Sequence, residues 1–196
     1  MGLSRQVSKE VRGKVKYWER FTSFKERGEW VELQFMAQAA QRRFPVSKPW
    51  GETQAYDVGV EHRQNYLRVQ VKSTTHRVGG GYRCQMRPKH RKTQTYTLRQ
   101  VDVFAVYVIP EDTWYLIPAA LLLTDLARIS DIMLCPVAPP VKKASYCYEG
   151  YREAWSLLTK SRSELLQYAS DQSSAAKGRG LEPRRKSNPI DRGSSR

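Results

Sequence analysis

Apolar and polar positions alternate over strand length twice in close succession: Tyr56-Asp57-Val58-Gly59-Val60-Glu61, and then Leu67-Arg68-Val69-Gln70-Val71-Lys72. His62-Arg63-Gln64-Asn65 separates them. The pattern predicts two adjacent antiparallel strands. Asp57 falls near the start of the first. Gln70 and Lys72, two residues apart, project from one face of the second. Upstream, Trp30, Leu33, Ala37, Ala40 and Phe44 recur at three- and four-residue steps, which predicts a helix over about 29 to 43 with those residues as its apolar stripe. Gly28 precedes it and Pro45 ends it. Glu32 lies beside the stripe, in an early turn where an acid also suits the helix dipole.

Further along, Gly79-Gly80-Gly81 reads as a hairpin turn, because Tyr82 to Met86 follows as another strand and not as the helix a phosphate-binding loop needs. Val101 to Ile109 is a near-continuous apolar run and predicts a buried central strand. Glu111-Asp112 makes a turn, and Trp114 to Pro118 pairs back. Ala119 to Arg128 is read as a short Leu-rich helix, 130 to 147 as irregular, and Tyr148 to about Tyr168 as a helix anchored by Tyr151, Trp155, Leu158 and Leu165. The element order describes an α/β core with a mixed sheet flanked by helices. Three segments result: a basic N-terminal extension (1–27), an α/β domain (28–168) and a disordered basic tail (169–196), where Ser, Gly, Pro and Arg replace apolar residues. The extension is either a basic arm following a DNA backbone or a helix docked through Val11, Val15, Trp18 and Phe21.

Charge changes the picture most. The 34 Lys and Arg against 19 Asp and Glu leave a net charge of +15, which points to a polyanionic partner. From His62 to Val101 there is no acid at all, while Arg63, Arg68, Lys72, Arg77, Arg83, Arg87, Lys89, Arg91, Lys92 and Arg99 all fall there. A stretch of one sign that long repels itself unless it faces a polyanion. Arg77, Arg83, Arg87, Lys89, Arg91, Lys92 and Arg99 are therefore the candidate DNA contacts. Cys84, Cys135 and Cys147 form no CxxC pair, and the histidines are scattered, so a structural zinc site is not expected. No apolar run is long enough for a transmembrane helix and no secretory signal is visible, so the expected compartment is cytoplasmic, with no membrane partner.

Gly28-x-x-x-Glu32 on a helix, Tyr56-Asp57 at a strand start and Gln70-Val71-Lys72 on the next strand together resemble the PD-(D/E)XK nuclease superfamily over about residues 28 to 118. Within it, the Gln-x-Lys motif is most similar to that of group I intron-associated homing endonucleases. The resemblance implies a restriction-endonuclease-like core and Mg²⁺- or Mn²⁺-dependent hydrolysis of double-stranded DNA by a homodimer or higher homo-oligomer. It implies Glu32, Asp57, Gln70 and Lys72 as catalytic residues, with metal held by Asp57, the Gln70 side-chain oxygen, the Val71 carbonyl and Glu32. Two departures stand out: Gln70 occupies the position usual for a second strand acid, and Tyr56 replaces Pro. Glu29 and Glu61 are rival acids. The same core serves Holliday-junction resolvases and restriction nucleases, and a non-catalytic nucleic-acid-binding protein would carry the same basic segment. In that last case Lys72 and Asp57 would form no more than a sheet-surface ion pair.

Overall fold

The computed structural model describes residues 17–51, 53–88, 96–124, 127–128, 130–137 and 148–178. Helix α1 (Phe24–Gln41) begins five residues before the predicted start. Its cap explains why: the Ser23 hydroxyl accepts from the Glu26 N–H at 3.1 Å, and the Glu26 carboxylate reaches back to the Thr22 N–H at 2.8 Å. This is a Ser-x-x-Glu capping box, so Gly28 lies within the helix and does not precede it. The buried face is Val31, Phe35 and Ala39, one step round from the predicted stripe. Leu33, Ala37 and Ala40 are exposed.

Strands β1 (Val46–Ser47), β2 (Val58–His62) and β3 (Asn65–Thr74) follow. Beyond β4 (Arg77–Val78) and β5 (Gly81–Gln85) come β6 (Val103–Val108) and β7 (Thr113–Pro118). The main sheet runs in the order β1-β2-β3-β6-β7. β2 and β3 pair antiparallel, as the alternation predicts, with Val58 opposite Val69. β3 and β6 are parallel, which makes the sheet mixed. Gly79 (φ +58°) turns between β4 and β5, a conformation that glycine adopts without strain.

One sheet face carries an aromatic core. Tyr107 stacks on Trp114 at 4.5 Å, Phe35 of α1 packs edge-on to Trp114 at 5.5 Å, and Trp155 stacks on Phe35 at 5.6 Å. Every residue of β6 and β7 is buried, which is why both strands read as continuous apolar runs.

The last third departs from the sequence expectations. In place of a Leu-rich helix, Ala119–Leu121 makes one 3-10 turn, and β8 (Leu123–Thr124) pairs with β9 (Ala127–Arg128). The stretch expected to be irregular contains β10 (Asp131–Leu134), which pairs with β5 and buries Ile132 and Leu134. Tyr148 to Tyr168 is not one helix. Two 3-10 turns, Glu149–Tyr151 and Trp155–Thr159, precede helix α2 (Arg162–Gly178). Helix α2 also continues past 169, with Ala169 buried, where the loss of apolar residues predicts a tail. The segments 1–16 and 179–196 lie outside the described residues. Among the described residues, no helix is long and apolar enough to cross a membrane.

Candidate active site

The strand register brings the sequence-predicted residues together at the β2–β3 hairpin. Asp57 precedes β2, and its N–H donates to the Val69 carbonyl at 3.0 Å, which continues the ladder and sets Asp57 beside Gln70. The Val71 N–H donates to Asp57 Oδ2 at 2.8 Å, and Gln70 Nε2 donates to the same oxygen. Gln70 Nε2 also faces the Val71 carbonyl at 3.3 Å. The Gln70 amide thus lies between a carboxylate oxygen and a main-chain oxygen, and it is buried.

Gln70 and Lys72 pair with Phe104 and Val106 of β6, so both belong to the face opposite the alternating Val69 and Val71. There the Lys72 Nζ donates to the Tyr96 hydroxyl at 2.8 Å and to the Arg87 carbonyl at 3.4 Å. The Tyr96 ring lies 5.1 Å from that ammonium and packs edge-on to Phe104 at 5.4 Å.

Glu32 projects from α1 and is bound by Lys48, whose Nζ lies 2.7 Å from Glu32 Oε2. That hydrogen bond raises the Lys48 pKa. Glu32 is also close enough to act on Asp57. Burial first, and then the negative charge of Glu32, push the Asp57 carboxyl up from its ordinary value to about 6. The Val71 hydrogen bond, Lys72 and Lys48 pull it back only in part. The rival acids stand elsewhere: Glu61 is exposed, and Glu29 pairs with Lys25 at 4.0 Å with more than half its side chain in solvent.

Among the described residues, no group of three or more His, Cys, Asp and Glu side chains gathers around one point. The oxygen-rich cluster here is instead two carboxylates, one amide and one main-chain carbonyl. Of the candidate DNA-contacting residues, Arg77 and Arg87 are exposed and Arg99 is exposed on the turn after Tyr96. Arg83 is held by Asp131 at 2.9 Å, so its charge is shared with an acid 48 residues away. Lys89, Arg91 and Lys92 lie outside the described residues.

Sequence reasoning missed Lys48 and the contact made by Tyr96. Lys48 lies in a loop with no motif around it, and only the packing of that loop against α1 brings it to Glu32. Tyr96 stands within the acid-free basic segment, where its most obvious use is as a phosphate donor.

The mixed sheet, the helix-borne acid and the Asp/Gln-x-Lys hairpin define a nuclease-type core. Residues 22–143 match the PD-(D/E)XK endonuclease family. The chain belongs to that family, and its class of activity is endonuclease. Among solved structures it is similar to a bacterial homing endonuclease, I-Ssp6803I, at 25% sequence identity and a TM-score of 0.55. The alignment covers 79% of this chain and 99% of that one. No curated protein matches the sequence.

Proposed function

We propose that the chain is a divalent-metal-dependent DNA endonuclease of the homing type, associated with a group I intron, whose site is Glu32, Asp57, Gln70, Val71 and Lys72. The observation that carries this reading is Asp57. It is a half-buried carboxylate close to a second one, with its pKa raised to about 6, and it accepts from the Gln70 amide and the Val71 main-chain N–H. A carboxylate kept in that state is short of positive charge. Hard oxygen donors in a small cluster suit Mg²⁺ or Mn²⁺, which keep several waters and need only one or two carboxylates. The donors here suit such an ion: Asp57 Oδ1 and Oδ2, the Val71 carbonyl, the Gln70 side-chain oxygen after rotation of its amide, and Glu32 from the α1 side would hold it. When bound, such an ion screens the phosphate charge and acidifies coordinated water.

The chain's own residues supply the rest. Asp57 is fixed by the Val71 N–H, so its orientation costs nothing at the moment of reaction. The Lys72 ammonium is held beside it and aims positive charge at the phosphate oxygens, where negative charge grows as water attacks phosphorus and the P–O bond to the leaving nucleotide breaks. Gln70 in place of an acid lowers the negative charge of the cluster, which predicts weaker metal affinity than a three-carboxylate site. Lys48 neutralises Glu32 and limits the repulsion between the two acids.

The basic segment between His62 and Val101 binds the DNA backbone in this reading, and cutting both strands with one site per chain requires a homodimer or larger assembly. The domain limits proposed with it run from α1 to the end of α2, wider at both ends than the 28–168 expected from the sequence, because α1 begins at Phe24 and α2 extends to Gly178 with Ala169 buried. The test is incubation of supercoiled plasmid with the protein in Mg²⁺, Mn²⁺ or EDTA. Nicked or linear product with either metal and none in EDTA is expected; no cutting with any metal counts against the reading. Salt-sensitive binding that survives Asp57→Ala, without cutting by wild type, would instead describe a DNA-binding protein on this fold.

A further inference from the structure

We infer that Tyr96 is a positioning residue for Lys72, acting through its hydroxyl on the ammonium. The inference rests on the nuclease reading of the site.

Lysine is the least self-positioned of the site residues. Four rotatable bonds separate Nζ from the strand, and its three donors have no fixed plane. A single misplacement of about 1 Å at a charge-stabilising group can cost roughly 100-fold in rate. Something must hold it, and among the described residues the Tyr96 hydroxyl oxygen at 2.8 Å and the Arg87 carbonyl at 3.4 Å do so. Of these the tyrosine contact is the shorter. With Nζ 2.8 Å from the hydroxyl and 5.1 Å from the ring centroid, the ammonium sits at the hydroxyl edge of the ring, so the hydroxyl is the group that positions it.

Tyr96 is itself fixed from beneath. Its ring lies edge-on to Phe104 of β6, and Phe104 is fully buried and pairs with Gln70 across the parallel ladder. A continuous path therefore runs from the sheet core to the lysine: Phe104 sets the Tyr96 ring, and Tyr96 sets the Lys72 Nζ. Accepting from the lysine leaves the Tyr96 O–H proton free to donate to a phosphate, so the two roles are separated by reading DNA affinity apart from the cleavage rate.

The experiment compares wild type with Tyr96→Phe, which keeps the ring and its packing on Phe104 and removes only the hydroxyl. Single-turnover cleavage of plasmid DNA is measured with saturating enzyme, DNA affinity is measured separately in EDTA, and thermal unfolding reports the fold. Tyr96→Phe is expected to slow the cleavage step at least 10-fold, with DNA affinity within twofold of wild type and an unchanged melting temperature. Tyr96→Leu, which also removes the ring packed on Phe104, should be at least as slow. A Tyr96→Phe protein that cleaves at the wild-type rate, or that loses DNA affinity while keeping its rate, overturns the inference. Lys72→Ala run alongside separates the two levels: wild-type cutting by Lys72→Ala means that the site reading fails, whereas an inactive Lys72→Ala beside a fully active Tyr96→Phe means that only the role of Tyr96 does.

Discussion

Two aspartates on the same sheet are treated in opposite ways. Asp102, just before β6, is buried with 2% of its side chain exposed. It is met by Arg68 Nη2 at 2.9 Å and Arg162 Nε at 3.1 Å, and it also accepts from the Arg68 main-chain N–H at 2.9 Å. Two guanidinium groups and a backbone donor compensate one carboxylate, and in doing so they tie α2 to the β3–β6 junction. Asp57, across β3 and just before β2, has no arginine partner among the described residues and shares its surroundings with Glu32. The first arrangement holds the fold together. The second leaves negative charge under-compensated at a position where strand register has gathered oxygen atoms. Burial alone therefore does not mark a functional acid; burial with unmatched charge does.

The contrast is broken most severely at the site itself. Asp57→Asn is isosteric and keeps an oxygen for the Val71 N–H, and it should lower cleavage by about 1000-fold or more if Asp57 does the work proposed, a loss of the size seen when a transition-state electrostatic group is removed. Plasmid nicking under single-turnover conditions measures it. The same substitution should leave the protein folded, which circular dichroism checks.

Next in size is the structural acid. Asp102→Ala leaves Arg68 and Arg162 without their shared partner and frees α2 from the sheet. Breaking a buried pair typically costs about 3–5 kcal/mol, and because both guanidinium groups are partly exposed, about 2–3 kcal/mol is expected here. Urea unfolding reads this directly, and Asp57→Asn should show no comparable loss.

The two acids also differ in how stability depends on pH. The Asp57 pKa is raised to about 6 in the folded state, so between about 4 and 6 the folded protein holds a proton that the unfolded chain has released. Stability contributed by that group is present at low pH and is lost as pH rises through the window. Asp57→Asn cannot titrate, so its stability relative to wild type should increase from pH 4 to pH 7, by about 2 kcal/mol in order of magnitude. Denaturant melts of both proteins across that range test the sign. Glu32→Gln removes the repulsion and should bring the Asp57 titration, followed by carboxyl NMR, down toward its ordinary range.

The smallest effect lies at Gly59, on the same hairpin face as Asp57 but one step further along β2. A Cβ on Gly59 would fall 1.9 Å from the Tyr66 hydroxyl oxygen and 2.6 Å from the Ser47 hydroxyl. Tyr66 is partly exposed and can swing away, so Gly59→Ala should cost only about 1 kcal/mol. Tyr66→Ala in the same chain should recover most of it.

Much of this architecture is legible in the sequence. The β2–β3 hairpin shows in its alternation, and β6 and β7 in their unbroken apolar runs, because strands buried on both faces leave that signature. Helix α1 is legible in existence but not in face. Apolar residues line both 30/33/37 and 31/35/39, and only the aromatic cluster of Phe35, Trp114 and Trp155 decides between them. The Ser23-x-x-Glu26 box was the local signal for its start. The C-terminal third was misread because its leucines and tyrosines anchor short 3-10 turns, where burial has no helical period. At the site, spacing puts Asp57 near Gln70 and Lys72, since hairpin register is local. Lys48 and the Tyr96–Lys72 contact depend on loops folding back over the sheet, which no local pattern encodes.

The most direct test of the central claim is calorimetric titration of Mn²⁺ into wild-type protein and Asp57→Asn at pH 6. Binding to wild type with proton release, and loss of that binding in Asp57→Asn, is the predicted result. Equal Mn²⁺ binding by both proteins would contradict the assignment of Asp57 as the carboxylate around which the site is built.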